Sequence, residues 1–182
     1  MSERRNPVSM PNMPTRRQMI AGVGVVLGGL AVGSSVRGQT QQKMAETQSS
    51  GLAGLLTYLH QEIPIQASPQ RIYEVLLDSK QFAQFTGLAA EIDARAGGAF
   101  SMFGGLIVGR NVELVSGQRI VQAWRPTSWE PGVYSIVKFE LKAHGSGAIV
   151  VLDHTGFPEG DFSHLDPGWY ERYWEPLKKF LA

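Results

Sequence analysis

The chain has 182 residues, 17 Lys and Arg against 16 Asp and Glu, a formal net charge of +1 and no cysteine. Five of the basic and one of the acidic side chains fall within residues 1–38, so residues 39–182 hold 12 basic and 15 acidic groups, a net charge near −3. Without cysteine there are no disulfides, thiolate metal sites or thiol nucleophile, and without a basic stripe to neutralise phosphates nucleic acid is not an expected partner.

At the N-terminus, Thr15-Arg16-Arg17-Gln18-Met19-Ile20 leads into the uncharged stretch Ala21 to Val36, followed by Arg37-Gly38. The order of charged region, moderately apolar region and small-residue end resembles a twin-arginine export signal over residues 1–38. The apolar run is shorter than the ~20 residues that span a bilayer, and Gly22, Gly24, Gly28, Gly29 and Gly33 dilute it. A cleaved signal is therefore expected, with a periplasmic or exported product and no stable membrane span after cleavage. Gly38 and Ala45 both remain open as cleavage points. Gly22-Val23-Gly24 follows paired arginines instead of a strand, so it is not read as a nucleotide loop. Residues 39–58, rich in Gln, Ser and Thr toward their start, read as a flexible linker.

The folded domain is expected over 59–182. Leu59 to Gln66 alternates apolar and polar residues as a half-buried strand does, and Ser68-Pro69 caps and opens a helix to Asp78 with Ile72, Val75 and Leu76 on one face. A second short helix around Lys80 to Phe85 presents Phe82 and Phe85 together. Six strand-like runs follow, at Ala89–Ala94, Ala99–Phe103, Leu106–Val115, Arg119–Arg125, Val133–Ala143 and Ala148–Thr155, separated by glycine-containing turns. After an acidic loop, Pro167-Gly168-Trp169 is expected to open an amphipathic helix to the C-terminus, with Trp169, Tyr173, Trp174, Leu177 and Phe180 on its apolar face. Strand, two helices, six strands and helix predict an α+β fold, a curved antiparallel sheet of about seven strands with two short helices and a long C-terminal helix packed across it. Pro176 removes a backbone donor and crowds the carbonyl of Arg172, so the last turn, Leu177 to Leu181, is expected to be angled and to shape the mouth of a cavity.

Strand pleat and helix phase put Phe100 with Met102, Ile120 with Gln122 and Trp124, and Trp169 with Tyr173. Phe100, Met102, Trp124, Trp169 and Tyr173, with His154 on the phase of Val150 and Leu152, are the candidate ligand-binding residues. The bland reading of the same spacing is a filled core, and for His154 a structural hydrogen bond. His164 with Asp161 and Asp166 matches no known metal-site spacing and reads as a solvated loop. No catalytic set is visible, since no serine sits in a nucleophile elbow and no motif fixes a carboxylate pair.

Ala83-Gln84-Phe85-Thr86, the run Ala94 to Met102, Ile120 to Arg125, Ser128-Trp129, and Gly168-Trp169 with Tyr173 occur in an order and spacing that resemble the C-terminal domain of the heat-shock protein 90 ATPase activator, a branch of the START-like (SRPBCC, helix-grip) superfamily. The likeness runs from Leu59 to Leu181. It implies a pocket between sheet and long helix, used by relatives for lipids, polyketides, sterols or hormones, with only some members enzymes. No cofactor and no metal are implied. The leading expectation is an exported domain that binds a small hydrophobic ligand. A co-chaperone-like module with a protein partner is the alternative, although the co-chaperone's chaperone-binding domain is replaced here by signal and linker. A cyclase-like enzyme using His154 with Glu113 is a second alternative, by analogy.

Overall fold

Alternation of polar and apolar residues from Tyr58 to Ile65 builds strand β1, whose Leu59, Gln61, Ile63 and Ile65 turn inward while the intervening residues face solvent. The computed structural model describes residues 54–182, so the expected export signal and most of the expected linker lie outside the described residues. Just before β1 the backbone is tied down, because Gly156 and Gly160 donate to the carbonyls of Thr57 and Gly54.

Ser68 then caps helix α1 (Pro69–Leu77) by accepting from the Arg71 N–H, with proline in the first turn where no donor is lost. Asp78 ends that helix and caps the next, α2 (Ser79–Thr86), which Gly87 closes in the left-handed conformation. Both helices bury their predicted stripes.

The remaining strands are β2 (Glu91–Ile92), β3 (Ala99–Met102), β4 (Ile107–Val115), β5 (Arg119–Pro126), β6 (Ser135–His144) and β7 (Gly147–Thr155). They form one antiparallel sheet in the order β1-β7-β6-β5-β4-β3-β2, so α1 and α2 carry the chain from one edge to the other. The predicted strand at Ala89–Ala94 shrinks to two residues at the edge. A bulge between Asn111 and Glu113 interrupts the β4–β5 register and adds local twist.

The C-terminal helix differs from expectation in two ways. It begins five residues before Pro167, as α3 (Phe162–Trp169), so the proline lies inside the helix instead of opening it. The donor lost at Pro167 would have met the carbonyl of Ser163, and both residues are exposed, so water can take its place. The irregularity attributed to Pro176 falls one turn earlier, as a π turn over Tyr170–Trp174 in which the Glu175 N–H reaches back to Tyr170, before α4 (Glu175–Leu181) completes the run. Widening the turn relieves the crowding between the Pro176 ring and the Arg172 carbonyl. Leu177 is fully buried, so α4 anchors the helix.

Across the centre of the sheet the helix packs onto a solid core of Ile120, Val137, Phe139, Leu152, Trp169, Trp174 and Leu177. Trp169 and Trp174 stack at 5.7 Å, and Phe139 meets both edge-on. Nearby, β4 is held so closely between its neighbours that a Cβ on Gly109 would clash with the Ala123 carbonyl oxygen of β5 and with the Phe100 ring of β3. Neither backbone nor buried ring can yield cheaply. Gly109→Ala should therefore cost roughly 1–3 kcal/mol through overpacking, read as a lower urea midpoint with unchanged slope.

Candidate functional site

Where the solid core ends, the N-terminal half of the terminal helix separates from the sheet and leaves a groove of about 460 Å³. Its sheet side is made by Phe103 and Leu106 from the β3–β4 turn, by Ile107 at the start of β4, and by Trp124, Pro126, Ser128 and Trp129 from the end of β5 and the turn after it. Leu165, Pro167, Gly168, Trp169 and Tyr173 form the helix side, with Asp161, Ser163, His164, Glu171 and Arg172 completing the lining. The mouth is thus shaped by α3 and the π turn, not by Leu177 to Leu181 as expected from Pro176, because α4 is committed to the core.

Of the six candidate residues, the structure brings Trp124, Trp169 and Tyr173 together on the groove wall. Trp124 and Trp169 stack at 5.8 Å, and Trp169 meets Tyr173 at 4.4 Å. Phe100, Met102 and His154 lie in the packed core and do not line the groove. Phe100 covers Gly109, and Met102 receives the Tyr173 hydroxyl at 3.9 Å.

His154 holds the wall in place. The Trp169 indole N–H donates to its Nδ1 at 3.2 Å, which leaves the proton on Nε2, 2.7 Å from Ser135 Oγ. Ser135 in turn donates to the Trp124 carbonyl at 3.1 Å. One buried relay therefore links the helix to β7, β6 and β5 and fixes the rotamer of Trp169. Burial pushes the His154 pKa down to about 3, so the imidazole is neutral. Glu113, its supposed catalytic companion, is occupied by a two-point ion pair with Arg119, and the geometry gives the two residues no shared site.

A second relay anchors the helix. Gln61 accepts from the Trp174 N–H at 2.6 Å and donates to the Asp166 carboxylate at 2.8 Å and its carbonyl at 3.1 Å. The third indole differs. The buried N–H of Trp124 lies beside the Tyr173 hydroxyl without forming a well-aligned hydrogen bond to it. Burial raises the Tyr173 phenol well above its usual pKa, and the neighbouring Trp124 N–H offsets this only in part.

Phe103 was not among the sequence candidates. Strand alternation points it away from Met102, but its φ of 55° turns the ring back inward, edge-on to Phe82 and Tyr173. A non-glycine residue in this region costs ~1–2 kcal/mol, and such strain concentrates at binding sites. Trp129 was missed as a wall residue because turns carry no phase. Arg125 positions it by donating to its carbonyl at 3.0 Å, and its ring meets Trp124 edge-on. Among the described residues, no group of three His, Asp or Glu side chains converges to hold a metal ion, and no helix is long and apolar enough to cross a membrane.

A long terminal helix gripping a curved seven-stranded antiparallel sheet, with a groove at one end, defines a START-like domain. Residues 66–182 match the family described as activator of Hsp90 ATPase homolog 1-like protein, and the chain belongs to that family. It is 32% identical over 114 residues to an activator of 90 kDa heat shock protein ATPase homolog from Dictyostelium discoideum, covering 62% of this chain and 30% of that protein. To homolog 2 from Mus musculus it is 26% identical over 123 residues, covering 68% of this chain and 37% of that one. The chain thus spans about a third of the length of these curated relatives. Among solved structures it resembles an HSP90 activator from Plasmodium falciparum, with a TM-score of 0.66, 22% identity and coverage of 69% of this chain and 96% of that one. The Aha1 dimer from Colwellia psychrerythraea superposes with a TM-score of 0.61 at 18% identity and the same coverage, a likeness of fold.

The relay sets a pH dependence. Between the ordinary histidine value of 6.5 and about 3, the unfolded chain binds a proton that folded His154 refuses. Its stabilising effect is therefore complete above pH 6.5 and declines toward pH 3, with a slope approaching ~1.4 kcal/mol per pH unit. Asp153 adds a further loss only at lower pH: partial burial raises its carboxyl, but hydrogen bonds from His60, Lys138 and Tyr58 hold it near 2, below the usual 3.8. In urea unfolding from pH 7 to 4.5, His154→Asn should be less stable at pH 7 and should flatten the dependence seen in the parent protein.

Proposed function

We propose that this chain is an exported START-like domain that holds a small hydrophobic or amphipathic ligand in the groove between the C-terminal helix and the end of the sheet. The observation that carries this reading is the groove itself, about 460 Å³ and walled by Phe103, Trp124, Trp129, Trp169 and Tyr173. That volume lies in the range of small-molecule sites, and the aromatic walls supply affinity by apolar burial. Trp124, Trp169 and Tyr173 offer the ligand their ring surfaces, while His154 acts at one remove by fixing Trp169. Export rests on the paired arginines and the glycine-diluted apolar run of residues 1–38.

Relatives named as activators of the 90 kDa heat shock protein ATPase favour a second reading, a co-chaperone-like module with a protein partner. The cyclase reading loses support because His154 has both ring nitrogens engaged inside the core.

Native mass spectrometry of the full chain's mature product, purified from the producing organism's envelope fraction, separates the two main readings. A non-covalent adduct of a few hundred daltons is the expected result. A ligand-free protein that captures a chaperone chain would instead establish the interaction module. For export, Arg16→Lys with Arg17→Lys should leave the precursor uncleaved in the cytoplasm, as followed by fractionation. Undiminished export of that double variant would rule out the twin-arginine route.

A further inference from the structure

The groove keeps its polar chemistry at the rim. In the buried wall the polar side-chain atoms are turned toward one another: the Trp169 indole N–H donates to His154 at 3.2 Å and the Tyr173 hydroxyl to Met102 at 3.9 Å. The Trp124 indole N–H is sequestered against that same hydroxyl. A polar atom carried inward by a ligand would lose its water without gaining a side-chain partner, so the deep end favours hydrocarbon. At the rim, Asp161, His164, Glu171 and Arg172 line the opening from the helix side, and the sheet side contributes no charged side chain. Residues 157–175 hold Glu159, Asp161, Asp166, Glu171 and Glu175 against Arg172, a formal charge of −4 with His164 counted as neutral. Asp166 is engaged by Gln61 and Glu175 by Lys178. Asp161 and Glu171, the two acidic residues of the lining, form no ion pair among the described residues. They leave the mouth in a negative field, which the low-dielectric walls of a cleft concentrate.

We infer that the groove takes an amphipathic cation, with a flat hydrocarbon end against the aromatic wall and an ammonium at the rim, where Asp161 and Glu171 receive it. This rests on the ligand-binding reading above and adds the sign of the ligand's charge and the direction in which it lies. Binding here is apolar burial and ion pairing, with no covalent step.

The test uses three probes of nearly equal shape with the full chain: 2-(2-naphthyl)ethylamine, 2-(2-naphthyl)ethanol and 2-naphthylacetate. Calorimetry at neutral pH and low salt gives the affinities, and the Trp129 indole signal in 1H–15N NMR reports occupation of the groove. The ammonium should bind about three-fold more tightly than the alcohol, the scale of one exposed ion pair, and about ten-fold more tightly than the carboxylate. That lead should shrink in about 0.5 M sodium chloride. Asp161→Asn with Glu171→Gln should bring the ammonium down to the alcohol's affinity, and since neither side chain is buried the fold does not depend on them. Glu62→Gln with Glu74→Gln makes the same change of charge outside the groove and should leave the order of the probes as it was. Carboxylate binding as tight as the ammonium's, a lead that survives loss of Asp161 and Glu171, or a lead lost equally with Glu62 and Glu74 would each overturn the cation inference while leaving the groove a binding site. Failure of all three probes to move the Trp129 signal would remove the ligand-binding reading itself.

Discussion

The hydrogen bond from the Trp169 indole to His154 Nδ1 is the constraint on which the groove depends. A buried imidazole needs partners for both nitrogens, and here one partner comes from the terminal helix and the other from β6. Because Ser135 passes the chain of donors on to the Trp124 carbonyl, the helix, β7, β6 and β5 are fixed relative to one another at the point where the solid core stops. On one side of this relay, Trp174, Leu177 and Phe139 fill the space completely. On the other, Trp124, Trp169 and Tyr173 present their outer surfaces to an opening. The relay makes the wall rigid, so a ligand would meet surfaces already arranged for it and would not have to order them on arrival.

Much of this was legible in the residues. The period-2 alternation of β1, the Ser68-Pro69 and Asp78 caps, and the glycine-bearing turns gave the elements in order, and Trp124, Trp169 and Tyr173 followed from pleat and helix phase. Phe100 and Met102 obeyed the same phase and still ended in the core, since phase assigns a face but not whether that face is filled or open. Gln61 carried a signal that went unread: a glutamine between Leu59 and Ile63 on an apolar strand face must find a buried partner, and Trp174 with Asp166 supplies it. Ser135 is a similar case. Phe103 and Trp129 lay beyond this kind of reading, because a left-handed turn residue reverses the alternation and a loop tryptophan has no phase at all.

The two prolines of the helix show why local rules misplace boundaries. Pro167 looked like an opening residue because proline suits a first turn, yet the exposure of Ser163 and Pro167 makes an interior position tolerable. Pro176 was expected to bend the last turn. The chain instead widened the preceding turn, since Leu177 is buried and moving α4 would sacrifice that packing. Solvent access decided the first outcome and tertiary burial the second, each over the intrinsic preference of the residue.

The π turn has a further consequence. On a regular α-helix, residues five apart point ~140° away from each other, and Trp169 and Trp174 could not both face the sheet. The extra residue accommodated in the wide turn lets them stack. It also gives the helix two independently phased segments, so substitutions in Phe162–Trp169 can reshape the groove without re-registering the segment that clasps the domain shut.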